Sequence, residues 1–136
     1  MIEYKVDREV AAKEIEKWLD EKKVSQTKRE SKKDQIESLV CGIMDGDLTV
    51  NEKGEFEHTL KFPGDSPAAV KKMVYKQRIL IGDVQHHIKN NKITLTDFDG
   101  RINCYIQALT GQPYAVIAKM ESTDYDIMQS IAVFFM

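Results

Sequence analysis

The stretch DQIESLVCGIMDGDLTVNEKGEFEHTLKF (residues 34–62) decides the fold, because its apolar period changes partway along. Ile36, Leu39, Val40, Ile43 and Met44 recur at the i, i+3, i+4, i+7, i+8 spacing of one helical face. Asp45-Gly46-Asp47 breaks that run, and Gly46 suits the left-handed position that ends a helix. Beyond it the period becomes 2. Leu48 and Val50 alternate with polar residues, and Phe56, His58, Leu60 and Phe62 do the same after the turn Asn51-Glu-Lys-Gly54. A helix therefore runs into a β-hairpin. Ser31-Lys-Lys-Asp34 precedes the helix as a capping box with Asp in place of Glu.

Working back from this stretch, Asp7 can cap a first helix carrying Val10, Ala11, Ile15, Trp18 and Leu19 at helical spacing. Lys22 to Lys33 reads as a polar, mostly basic connector. Working forward, Pro63-Gly64-Asp65-Ser66-Pro67 is a loop, and Met73 to Ile81 offers a third strand with Met73, Tyr75, Ile79 and Ile81 on one face. Gly82-Asp83 opens a short helix bearing Val84 and Ile88, and Asn90-Asn91 closes it. Asp97 or Asp99 starts a helix whose face is Ile102, Tyr105, Ile106 and Leu109, and Gly111 stops it. Pro113 fits the first turn of a helix with Val116, Ile117 and Met120. Ser122 or Thr123 then caps a last helix with Ile127, Ile131, Phe134 and Phe135 on one side.

The expected class is α+β: N-terminal helices, a three-stranded antiparallel sheet made of a β-hairpin plus one strand, and a C-terminal cluster of three or four short helices. Residues 1–30 read as a charged N-terminal helix and connector, and residues 31–136 as a single globular domain.

Composition narrows the function classes. With 136 residues, 42% of them hydrophobic and 31% charged, the chain has room for one real core. A net charge of -2 gives no global pull toward nucleic acid. No apolar run approaches the roughly 18 residues needed to span a bilayer. Met1-Ile-Glu-Tyr-Lys-Val lacks the basic and apolar regions of a signal peptide. Cys41 and Cys104 sit in apolar helical patterns as buried thiols, and a cytoplasmic location is expected. Half of the 20 basic residues fall in the first 37 positions, where ten acids balance them. From Asp97 onward only Arg101 and Lys119 are basic.

No motif rises to catalysis. Asp83 and His87 share a helical face, but two ligands do not make a metal site. Asp97-Phe-Asp99-Gly100 imitates part of a calcium loop, yet Leu95 and Ile106 would occupy its outer ligand positions and cannot ligate through their side chains. Asp45-Gly-Asp47 reads as a helix stop. There is no Gly-rich phosphate loop, nucleophile elbow or Cys/His pairing. No enzyme, metal or cofactor is expected. Lys22, Lys23, Lys28, Arg29, Lys32 and Lys33 form a basic segment that offers one alternative, a small nucleic-acid-associated regulatory protein.

The stretches HTLKFP, MVYKQRILIGDVQ, YIQALTGQP and MESTDYDIMQSIAVFF, in that order, resemble the tail assembly chaperones of long-tailed phages and prophages. The resemblance spans about residues 55–136 and rests on Gly82-Asp83, Leu109-Thr110-Gly111 and Asp124-Tyr125. It implies a non-enzymatic protein of the bacterial host cytoplasm that binds a tape-measure-type tail protein and keeps it soluble. It also implies recruitment of tail-tube protein and self-association into a homo-oligomer. Some members of the family engage tube protein through a C-terminal extension. The sequence quoted stops directly after its last helix, so tube-protein recruitment is the weaker expectation.

The apolar close of the chain is where contact is expected. Tyr125, Ile127, Met128, Ile131, Phe134 and Phe135, with Tyr105 as a neighbour, are the candidate partner-binding residues. Phe134 is expected inside the domain, and Phe135 and Met136 at an interface.

Overall fold

The computed structural model describes residues 4–64 and 69–136. Asp65, Ser66 and Pro67 of the expected loop, and the first three residues, lie outside the described residues. The fold is α+β, as the changing period predicts. Helices α1 (Arg8–Glu21), α2 (Gln26–Ser31) and α3 (Lys33–Asp45) come first. Strands β1 (Leu48–Val50), β2 (Phe56–Thr59) and β3 (Lys72–Tyr75) follow, then α4 (Ile81–Asn90), α5 (Phe98–Thr110), α6 (Tyr114–Ala118) and α7 (Ser122–Ala132). A 3-10 turn (Val133–Phe135) ends the ordered elements.

The strands lie in the order β1-β2-β3, antiparallel throughout. Register puts Leu48, His58 and Met73 in one row and Val50, Phe56 and Tyr75 in the next. Cross-strand neighbours share a face, and these rows face the helices. Leu48, Phe56, His58, Met73 and Tyr75 are buried, whereas Thr49 and Val74 point to solvent. The hairpin turn is held by Asn51, whose Oδ1 accepts from the Lys53 and Glu55 amides at 2.9 and 3.0 Å.

α3 is the central helix. It buries Leu39, Val40, Ile43 and Met44 and packs against α1, α7 and β1. Gly42 permits a close approach: a Cβ there would lie 2.9 Å from Ile127 Cδ1 and 3.3 Å from Leu48 Cβ. Gly46 takes φ 83° and ends the helix, with the Gly46 and Asp47 amides donating to the Ile43 and Gly42 carbonyls. Only glycine enters that left-handed region without a Cβ penalty.

Several boundaries differ from expectation. The connector is not featureless: it contains α2, which Ser25 caps by accepting from the Lys28 amide. The capping box at Ser31 does not form. Ser31 is the last residue of α2, and its hydroxyl donates to the Lys28 carbonyl instead. β3 stops at Tyr75 because the Lys76 amide turns away to the Leu109 carbonyl on α5. Ile81, expected on that strand, is the first residue of α4, and Leu80 rather than Gly82-Asp83 precedes the helix as its cap. Glu121, not Ser122 or Thr123, caps α7 by accepting from the Thr123 amide at 2.7 Å. Asp97 caps α5 through the Gly100 amide, as expected.

The division at residue 30 also needs correction. Ala11, Ile15, Trp18 and Leu19 of α1 are buried in the same core as the sheet and α7. Trp18 stacks near Phe56, with centroids 4.6 Å apart, and meets the Phe134 ring edge-on at 5.9 Å. The N-terminal helix is part of the globular unit. Cys104 is buried as expected, but Cys41 is only half-buried.

Candidate functional site

The side chains expected to meet a partner are mostly occupied within the fold. Met128, Ile131 and Phe134 are core residues, and Tyr105 is almost fully covered. Met128, Ile131 and Phe134 cannot touch another molecule without opening the domain, so their assignment to a contact surface is corrected; Tyr105 keeps an edge at the surface. The remainder are half-buried. Tyr125 donates its hydroxyl to Asn103, and burial, with Asp99 and Tyr114 nearby, pushes its pKa up to about 12. Ile127 packs on α3 where Gly42 leaves room. Phe135 lies beneath Lys22, whose Nζ stands 3.4 Å from the ring centroid. Phe134 is inside, as expected from the sequence, while Phe135 and Met136 are half-exposed.

The basic segment is turned inward as well. Lys28 donates to the Phe134 and Met136 carbonyls at 3.3 and 2.8 Å. Arg29 pairs with Asp20 at 2.9 Å and donates to the Val24 carbonyl. Lys22 is lowered to about 8, by burial first and then by Lys28 and Arg78. Three of the six cations expected to meet phosphate therefore have internal work.

Two polar clusters invite chemistry. Asp124, nearly fully buried, accepts from the Lys61 and Phe62 amides at 2.7 and 2.9 Å and so fastens the chain beyond β2 to α7. Beside it His58 Nδ1 lies 3.1 Å from the Tyr75 hydroxyl, and Nε2 lies 4.0 Å from Asp124 Oδ1 with no hydrogen-bond partner. Burial holds His58 below the usual imidazole range despite Asp124 and Asp47, and pushes Tyr75 well above the usual phenol range. All three side chains are covered, so the cluster has no mouth for a substrate. Asp83, His86 and His87 line a shallow cleft of about 440 Å³ with Lys76 and Gln107. Among the described residues, no group of three or more His, Cys, Asp or Glu is placed to hold a metal ion.

Of the exposed large apolar side chains, four lie around α4 and the start of α5. Leu80 is 74% exposed, Ile81 60%, Leu95 87% and Phe98 58%. Ile81 shares the helical phase of Val84 and Ile88, so it continues the α4 stripe that packs on α5. At the first turn the stripe outruns its cover. Ile81, Ile88, Ile93 and Leu95 then line an open cleft of about 340 Å³, with Tyr105 at its base. Lys89, Lys92 and Arg101 also line it, and none of its lining residues is acidic. Large side chains left bare in series are the ordinary mark of a contact surface. Of the residues expected to bind, only Tyr105 reaches this cleft.

Sequence reasoning missed Leu80, Leu95 and Phe98. The available signal was the surplus of apolar residues between Ile79 and Phe98, more than one short helix can bury. Among the described residues no helix is long and apolar enough to cross a membrane. Comparisons with protein-family models, with curated proteins and with solved structures find no match.

Proposed function

We propose that this protein is a non-enzymatic phage or prophage tail assembly chaperone-like protein of the bacterial host cytoplasm. It binds an apolar helix of a tape-measure-type partner and keeps that helix from aggregating until assembly. The observation that carries this reading is the cleft lined by Ile81, Ile88, Ile93 and Leu95, in which Ile81 and Leu95 stand largely exposed. An amphipathic helix laid into such a groove is a standard mode of recognition. The covered state of the His58 cluster adds support, because a buried acid, imidazole and phenol without access serve the fold rather than a reaction. The nucleic-acid alternative draws less support, since Lys22, Lys28 and Arg29 are engaged internally.

The test is co-expression with a tape-measure-type protein, followed by measurement of soluble complex. Leu95→Asp and Phe98→Asp alter exposed positions and leave the core intact, so the variants should fold yet lose the complex. A complex that survives both substitutions, or no complex with the unaltered protein when both partners are soluble, sinks the proposal.

A further inference from the structure

We infer that the cleft between α4 and the segment leading into α5 selects a partner helix flanked by acidic residues. This inference rests on the reading of that surface as a partner site and adds the chemistry of the occupant. The floor is apolar: Ile81, Ile88 and Leu95 supply it. The walls carry charge of one sign. Lys89 and Lys92 stand at the end of α4 and just beyond, and Arg101 rises from the first turn of α5.

That bias runs against the chain as a whole, which has net charge -2. It also runs against the local sequence, since from Asp97 onward Arg101 and Lys119 are the only basic residues among five acids. Asp97 is committed to the Gly100 amide as the α5 cap, and Asp99, two residues before Arg101, is not among the residues lining the cleft. No salt bridge holds Lys89, Lys92 or Arg101 among the described residues. The three cations are therefore free to meet an incoming partner's charge.

An apolar floor between unpaired cations fits one occupant best: an amphipathic helix with an apolar stripe bordered by Asp and Glu. The stripe at i, i+3, i+4 and i+7 would cover the floor, and its carboxylates would reach the walls. Complementary charge of this kind sets specificity and encounter rate more than raw affinity. A nucleic-acid strand would use the cations but leave the aliphatic floor without matching planar surfaces. Phe98 is the one exposed aromatic residue at this end of α5.

The experiment uses three labelled helical peptides with the same apolar stripe and acidic, neutral or basic flanks, read by fluorescence anisotropy. A labelled single-stranded oligonucleotide serves as a fourth probe. The acidic peptide should bind about tenfold more tightly than the basic one at low salt, since partly exposed pairs contribute modestly and screening weakens them. The variant Lys89→Glu/Arg101→Glu should reverse that order, with circular dichroism confirming that it folds.

Equal binding of acidic and basic peptides, with loss on Leu95→Asp, overturns the charge inference and leaves the apolar site standing. Binding of no peptide overturns both. Tighter binding of the oligonucleotide, abolished by Lys89→Glu/Arg101→Glu, assigns the cleft to nucleic acid instead. A dimer in sedimentation that Leu95→Asp converts to monomer assigns it to a second copy of this chain, and likewise overturns the inference.

Discussion

Phe134 and Phe135 are neighbours in sequence with opposite fates, and replacing each by alanine tests the core directly. Phe134 is buried against Trp18, edge to face at 5.9 Å. Truncating a buried phenylalanine costs about 3–5 kcal/mol. About 0.5–1.5 kcal/mol of that reflects the aromatic pair. Phe135 is half-buried and forfeits part of its burial together with its contact under Lys22. That loss comes to about 1–1.5 kcal/mol. The two variants should therefore differ by about 1.5–4 kcal/mol. Urea unfolding followed by Trp18 fluorescence reads the difference. With a slope of about 2 kcal/mol/M, the Phe134→Ala midpoint should fall about 0.7–2 M below that of Phe135→Ala. A domain of ordinary stability, about 5–15 kcal/mol, survives the loss only narrowly. Phe134→Leu, costing about 1.5 kcal/mol, provides a milder variant if the alanine protein fails to fold. Equal losses at both positions, or a larger loss at Phe135, would refute the placement of the final turn.

Asp124→Ala should cost about 2–4 kcal/mol in the same assay, because it strands the Lys61 and Phe62 amides near a covered site. A loss below about 0.5 kcal/mol would mean that those amides find other partners. Stability should also depend on pH through His58, whose folded pKa lies below its ordinary value. The unfolded chain then binds the proton more readily, so the contribution is intact above pH about 6.5 and is lost as pH falls toward the depressed value. His87 is depressed too, by burial first and then by His86, and acts in the same direction. His58→Gln should therefore flatten the fall in stability between neutral and mildly acidic pH, without abolishing it. An unchanged slope would remove His58 from the account.

The elements with clean periodicity were legible in the sequence. The α3 stripe, the Gly46 stop and the alternation through β1 and β2 needed only a period count and one glycine. Where two rules competed, long-range packing decided. Ile79 and Ile81 alternate as a strand should, but the Lys76 amide is captured by Leu109 on a distant helix, and that ends the strand. Ser31 had the right chemistry for a cap and was already spent on α2. The surface was less legible than the fold. An apolar stripe looks the same in sequence whether covered or bare. Met128 and Ile131 find α3 and α5 above them, while Ile81 and Leu95 find no such cover. The cationic walls were hidden for a similar reason, since Lys89, Lys92 and Arg101 belong to two helices and the loop between them.

The meeting of Trp18 with Phe134 has a consequence in time. A ribosome adding roughly 5–20 residues per second reaches Phe134 roughly 6 to 23 s after Trp18. Until then α1 lacks one of the aromatic surfaces that enclose its indole, and Phe56 shares that incomplete enclosure. Contacts so distant along the chain also form slowly. The emerging polypeptide thus passes through an interval in which its only tryptophan is still incompletely enclosed. Arrested nascent chains lacking Phe134 should quench more readily with acrylamide than chains released at full length, and equal quenching would show that the indole closes without it.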